Sequence, residues 1–416
     1  MSKKVKIGVF GAGRGSTMVG VMSQHPDAEL VAICDKFKPA LESCRQLAEK
    51  HGEKVTLYED FDKFLEHDMD AVVLANYATE HAPYAVRCLR SGRHVTSEVL
   101  ACETMAEAVE LVEAVEETGK VYTYSENYCY FRSTAEMKKI YRRGDIGEFQ
   151  HGEGEYVHDG ESIRHLITYG QRDHWRNWIP ATFYCTHAAG PIITITGLRP
   201  VKVVAFDTPN KFARYTGKRA GEGAMLCVQF ENGATGKFLQ GGYRRSMESI
   251  WYCVYGTNGQ MESDRFGARE NMLHTWIQDA GKADYYEPKP DKENELSRAT
   301  EGHGGSDYWT MQHFLDCILD REGREEAIDV YTGLDMTMIG TLGYRSAWEG
   351  NRPVEIPDLR DKSQRDKYRD DHFCCDPKYA GPGQPESCSF GRIEIPDVVY
   401  DMVRIKYETE TKNKRD

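Results

Sequence analysis

Tyr184 and His187 stand three residues apart at the start of a run, residues 186–195, with helical spacing. Residues three apart share one helix face, so a phenol and an imidazole would aim at one point. Such a pair can pass protons to and from a bound substrate. The same spacing also suits two ordinary helix-start residues. Tyr156 and His158 alternate along a strand-like run, 150–158, and so share a strand face. A solvated sheet face has that pattern too. Glu126 follows the last of a series of apolar runs. There it could act as acid or base, or favour a helix N-terminus. Glu155 and Asp159 add further carboxylates. His303, among glycines, is placed either to reach a pocket or to order its loop. Trp175 and Trp178 flank Arg176 ahead of the Tyr184–His187 pair. Aromatic faces stack on sugars and equally fill cores.

A second constellation points to a nucleotide. Residues 4–15 read KVKIGVFGAGRG: an apolar run, then Gly11, Gly13, Arg14 and Gly15. A strand, a tight glycine turn and a helix N-terminus form a phosphate cradle, because the backbone can approach a pyrophosphate and free N–H groups face it. Ser16 takes the third glycine position and is small enough for close packing. The run 30–34 ends in Asp35, about 20 residues past the first glycine, where a carboxylate binds a ribose diol. Asp35 favours NAD over NADP, since it repels a 2′-phosphate, although Lys36 and Lys38 lie close by. Asn76, Glu98 and Asn127 stand at the ends of later runs and complete the candidate cofactor-binding set.

These residues need elements to hold them. Strands are predicted at 6–10, 30–35, 71–76, 94–98 and 121–124, with helices at 39–51, 84–91 and 105–118, and Gly92 and Gly119 as helix C-caps. This alternation implies a doubly wound parallel sheet of Rossmann type. Beyond residue 126 a helix ends at Gly144. Strand-like runs then follow at 150–158, 202–206, 224–230, 234–240 and 249–255. They imply an open, largely antiparallel sheet in an α+β domain, with helices at 306–320 and 331–349. The expected division is 1–125 for NAD binding, 126–360 for substrate and catalysis, and 361–416 as a C-terminal tail. The tail's apolar run 398–405 is expected to pack on the body or on a second subunit of a homo-oligomer. Its last residues, 408–416, are expected to fray.

The chain has 416 residues and a formal net charge of −13. That balance argues against nucleic acid and anionic membranes as partners. No stretch approaches about 20 apolar residues, so no spanning helix is expected. The first strand follows the start so directly that no signal peptide is expected. Twelve cysteines are scattered, several in apolar segments (Cys34, Cys88, Cys227, Cys253, Cys317). This reads as buried thiols in a reducing cytoplasm. His372, Cys374, Cys375 and Cys388 match no standard zinc spacing, so surface-loop thiols and no metal are expected.

The organisation of residues 4–357 resembles the Gfo/Idh/MocA family of sugar oxidoreductases. Ordinary members carry Glu-Lys-Pro at the end of the fifth strand, with the lysine at the reacting carbon. Here that place reads Ser97-Glu98-Val99-Leu100, without the lysine. The chain is closer still to the NAD-dependent glycosidases of glycoside hydrolase family 109. Their Ser-Glu-Val-Pro-Ala is matched by residues 97–101, and their Glu-Asn-x-Cys-Tyr by 126–130. Their His-x-Glu-Gly-x-Tyr-x-His-Asp strand is matched by 151–159. Their Tyr-Pro-Thr-His-Gly-x-Gly-Pro is matched by 184–191 with Cys185 and Ala188 changed, and their Gly-His-Gly-Gly-x-Asp by 302–307.

The resemblance implies a carbohydrate substrate and redox-assisted cleavage: oxidation at C3, elimination across C1–C2, water addition and re-reduction. It implies catalytic roles for Tyr184 and His187, and substrate or acid/base roles for Tyr156, His158 and Glu126. It implies NAD as cofactor, with Glu98 near the nicotinamide ribose. The competing readings are a sugar 3-dehydrogenase releasing NADH, a lyase or epimerase acting on 3-keto sugars, and a non-catalytic sensor.

Overall fold

The computed structural model describes residues 4–160, 162–211, 213–243, 248–265, 271–290, 294–300, 302–379 and 383–412. The chain forms two compact units, each discontinuous in sequence. The first comprises Met1–Ala135, Pro288–Asp335 and Asp358–Asp371; the second Glu136–Glu287, Met336–Pro357 and His372–Asp416. From sequence, one boundary is expected near 125 and another at 360. In the structure the chain returns to its first unit after Pro288.

The first unit is built on six parallel strands: β1 (Val5–Phe10), β2 (Ala28–Cys34), β3 (Thr56–Tyr58), β4 (Ala71–Leu74), β5 (His94–Ser97) and β6 (Tyr122–Tyr124). Their order is β3-β2-β1-β4-β5-β6, the doubly wound arrangement expected. Both faces of such a sheet are covered, which is why β4 reads Ala-Val-Val-Leu and is buried throughout. The Met105–Thr118 helix starts in a capping box, Thr104 with Glu107, and ends at left-handed Gly119. β3 escaped the sequence reading because three residues carry too little alternation to register.

The late helix Ser306–Ile318 belongs to this unit. Its Tyr308, Met311, Phe314 and Leu315 share one core with Val5, Ile7, Val9 and Val19. Met311, Phe314 and Leu315 are fully buried, each contributing about 1.5–3 kcal/mol against exposure. That burial fixes where the helix's first turn lies.

The second unit holds nine strands: β7 (Phe149–Val157), β8 (Pro200–Asp207), β9 (Gly223–Phe230), β10 (Thr235–Gly241), β11 (Ser249–Gly256), β12 (Gly259–Ser263), β13 (Leu273–Ile277), β14 (Lys282–Tyr286) and β15 (Val354–Glu355). Their order is β14-β13-β12-β11-β7-β10-β9-β8-β15. Every pairing is antiparallel except β7 with β10. β12–β14 lie outside the runs read from sequence, each being only five residues long. The Thr186–Thr196 helix packs across β7, β10 and β11. Two glycines make room for it on the central strand. A Cβ at Gly154 would stand 1.9 Å from the Ala188 oxygen, and one at Gly152 would stand 2.8 Å from Ile192 Cγ2.

The expected tail is divided: its residues up to Asp371 belong to the first unit, and from His372 onward it belongs to the second. Its Asp397–Lys412 helix buries Val399 and Tyr400 and leaves Val398, Met402 and Ile405 exposed. Residues 408–412 are helical rather than frayed, and 413–416 lie outside the described residues. Among the described residues no helix is long and apolar enough to cross a membrane.

Candidate active site

In the first unit, the loop after β1 has the geometry of a phosphate cradle. Gly11 has φ +103°, and a Cβ there would stand 2.3 Å from the Ala75 carbonyl group. A Cβ at Gly15 would meet the Gly11 oxygen at 2.0 Å. Only glycine permits this turn. At the end of β2, Asp35 accepts the Ala12 N–H at 2.6 Å and the Phe37 N–H at 2.8 Å. Both bonds aim its carboxylate and leave lone pairs for a ribose diol. The two nearby lysines are engaged elsewhere: Lys36 lies over the Tyr77 ring and Lys38 pairs with Glu59. Just past β4, both amide atoms of Asn76 are buried without a hydrogen-bond partner among the described residues. A buried amide left open in this way suits a polar ligand. These residues fit a dinucleotide.

The remaining cofactor candidates converge on one carboxylate, Asp307, which ends the 302–307 motif and has no role assigned to it from sequence. Arg14 donates to Asp307 through both terminal nitrogens, at 3.0 and 2.6 Å, and lies 2.8 Å from Glu98. Asn127 donates to Asp307 at 3.0 Å, and His303 Nδ1 lies 2.9 Å from it. His303 therefore orders this loop. Burial opposes the Asp307 charge, yet His303 and Arg14 hold its carboxyl well below the usual range. Glu126 is fully buried, and one oxygen accepts the Tyr128 N–H at 3.3 Å, capping the short Asn127–Tyr130 turn. His81, missed from sequence, is buried 2.9 Å from the Leu100 oxygen, and burial pulls its pKa down to about 4. Val99, where ordinary members of the resembled family carry lysine, is buried.

In the second unit, four candidate side chains come together. The alternation that puts Gly152 and Gly154 under the Thr186–Thr196 helix also puts Tyr156 and His158 on that face. Tyr156 lies 4.7 Å from the His187 ring and 5.7 Å from the His158 ring, centroid to centroid. Tyr184 lies 5.5 Å from His187. Behind Tyr184, Trp175 stacks nearly parallel at 6.2 Å, and Arg176 stands 4.4 Å over the Trp175 ring. Glu248 reaches His158 Nε2 at 3.0 Å and raises the histidine's pKa by that hydrogen bond. Glu155 has the opposite parity: Ser249 and Arg265 hold it on the other face of β7. It does not join the group.

Two bonds anchor this arrangement. Pro191 lies inside the helix, four residues past His187, and has no N–H to give the His187 carbonyl. The Tyr252 hydroxyl donates to that carbonyl instead, at 2.7 Å. Tyr252 is paired with Gly154 across β11 and β7, which puts its ring under the helix. Gln240, paired with Tyr156, donates to the Ala181 carbonyl ahead of Tyr184. No local spacing signals Tyr252 or Gln240.

All twelve cysteines are free thiols. Cys374 and Cys388 are buried rather than on surface loops, and Cys375 donates to the Trp178 carbonyl. Among the described residues no group of three His, Cys, Asp or Glu side chains is placed to hold a metal.

Residues 5–126 match the oxidoreductase family with an NAD-binding Rossmann fold, Gfo/Idh/MocA. Residues 245–365 match the glycosyl hydrolase 109 C-terminal domain. A glycosyl hydrolase family 109 protein of Bacteroides thetaiotaomicron is 26% identical over 403 residues, covering 85% of this chain and 84% of its own. An α-N-acetylgalactosaminidase of Shewanella oneidensis is 24% identical, covering 85% of each chain. An Agrobacterium radiobacter oxidoreductase, solved with NAD⁺, L-tartaric acid and magnesium, superposes with a TM-score of 0.70 at 15% identity, covering 85% of this chain and 98% of its own.

Proposed function

We propose that this chain, an NAD-binding enzyme whose residues 5–126 match the Gfo/Idh/MocA oxidoreductases and whose residues 245–365 match the glycosyl hydrolase 109 C-terminal domain, cleaves glycosides by transient oxidation at C3. The observation that carries the reading is the meeting of Tyr156, His158, Tyr184 and His187 on one face of the sheet unit, together with valine in place of the dehydrogenase lysine. Bound NAD⁺ supplies the oxidation at C3 and its reversal, ending the cycle as it began.

The protein's own groups move protons. His187 takes the proton of the C3 hydroxyl. The ketone acidifies C2–H, and Tyr184, acting as phenolate beside the imidazolium that the first step leaves on His187, removes that proton and becomes a neutral phenol as the C1–O bond breaks. His158, kept protonated to higher pH by Glu248, gives a proton to the departing group. Water then adds at C1, C2 regains a proton, and the ketone returns to an alcohol. Tyr156, between the two histidines, orients the sugar. Glu126 contributes as the cap that sets Asn127.

A cytoplasmic location and homo-oligomeric assembly belong to the same reading. The free thiols support the first, and the exposed Val398, Met402 and Ile405 of the tail helix support the second. Light scattering of the purified chain tests assembly. A screen of chromogenic glycosides that also follows NADH absorbance tests the activity. The expected result is aglycone release without stoichiometric NADH; NADH accumulating one-for-one with substrate would replace this reading with a dehydrogenase.

A further inference from the structure

Arg14, Glu98 and Asp307 make a charge cluster that the proton-transfer scheme does not use. Arg14 follows β1 and Glu98 follows β5, at the C-terminal ends of parallel strands where doubly wound sheets bind ligands. Asp35 marks the end of β2 for the ribose of one mononucleotide half. β5 and β6 belong to the other half, which receives the nicotinamide.

Asp307 and Glu98 are buried, and the Arg14 side chain is 28% exposed. One guanidinium faces two carboxylates, so these three groups together carry a net charge of −1. Burial works against the Arg14 charge, but Glu98 and Asp307 hold it firmly protonated. With both carboxylates engaged on it, Arg14 is a poor phosphate ligand. The oxidised nicotinamide ring carries a positive charge, and the reduced ring carries none. A fixed negative charge near that ring therefore acts on one redox form only, and it does so strongly where water is excluded.

We infer that Asp307, positioned through Arg14 and Glu98, sets the Rossmann unit's preference for oxidised over reduced cofactor. The inference rests on the reading of this unit as an NAD site. The signal in sequence was weak, because Asp307 looks like a first-turn helix acid and its partner Arg14 is 293 positions away.

The test uses the full chain, with NAD⁺ and NADH dissociation constants measured separately by calorimetry for the parent, Asp307→Asn and Glu98→Gln. Each variant should weaken NAD⁺ about tenfold more than NADH, the effect of one partly screened unit charge. That corresponds to about 30 mV in the potential of the bound two-electron couple. An anchor of structure alone would weaken both forms alike, so an unchanged affinity ratio overturns the inference. Glu98→Gln keeps the test alive should Asp307→Asn fail to fold. A parent chain that binds neither form would instead overturn the cofactor site itself.

Discussion

The Tyr252 hydroxyl donates to the His187 carbonyl oxygen at 2.7 Å, where Pro191 leaves the helix without an amide to offer. A side chain on β11 thus sets the backbone of the central imidazole. Tyr252→Phe removes the donor and strands a buried carbonyl, a loss of about 1–3 kcal/mol. Chemical denaturation should show that loss, together with reduced turnover. Stability within about 0.3 kcal/mol of the parent would show that the bond does not hold the helix.

Gly154 should tolerate no side chain. Its added Cβ would meet the Ala188 backbone oxygen, whereas one at Gly152 would meet the end of the Ile192 side chain. Gly154→Ala should cost about 1–3 kcal/mol by overpacking and separate Tyr156 from His187. Gly152→Ala should cost less, since a side chain yields more readily than backbone. Thermal melts and turnover of both variants check this order; equal effects would contradict it.

Much of this was legible in the sequence, for physical reasons. The cradle shows because Gly11 and Gly15 answer a local backbone demand, and the parallel sheet because its buried strands are continuous apolar runs. Tyr184 with His187, and Tyr156 with His158, show through helix and strand periodicity. The contacts that hold them do not. Tyr252, Gln240 and Asp307 act across pairings far apart in the chain, and no spacing rule reaches them. The return of Pro288–Asp335 to the first unit depends on core packing by Met311 and Phe314, which look the same in any buried helix.

His187→Ala and Tyr184→Phe should each lower turnover by about 100-fold or more while leaving NAD binding and the melting profile near the parent's. Steady-state rates with cofactor titration measure both. Rates within a few-fold of the parent would remove these residues from proton transfer.

His158 should respond to its partner. Its pKa is raised in the folded chain through the hydrogen bond that its ring donates to Glu248. The resulting stability is fully present below the ordinary histidine value, about 6.5, and is lost as pH rises through the folded value. Partial exposure of both groups, 30% and 50%, reduces its size. Glu248→Gln should therefore lower the His158 midpoint in an NMR titration and destabilise the chain mainly on the acid side. An unmoved midpoint would show that Glu248 does not tune His158.

The central claim is that glycoside cleavage passes through loss of the C2 proton. Direct displacement uses two carboxylates about C1 and leaves C2–H intact. Hydrolysis of a glycoside substrate in D₂O, with NMR of the released sugar, separates the two. Deuterium at C2 is the predicted result, and a product carrying only protium there would contradict the account.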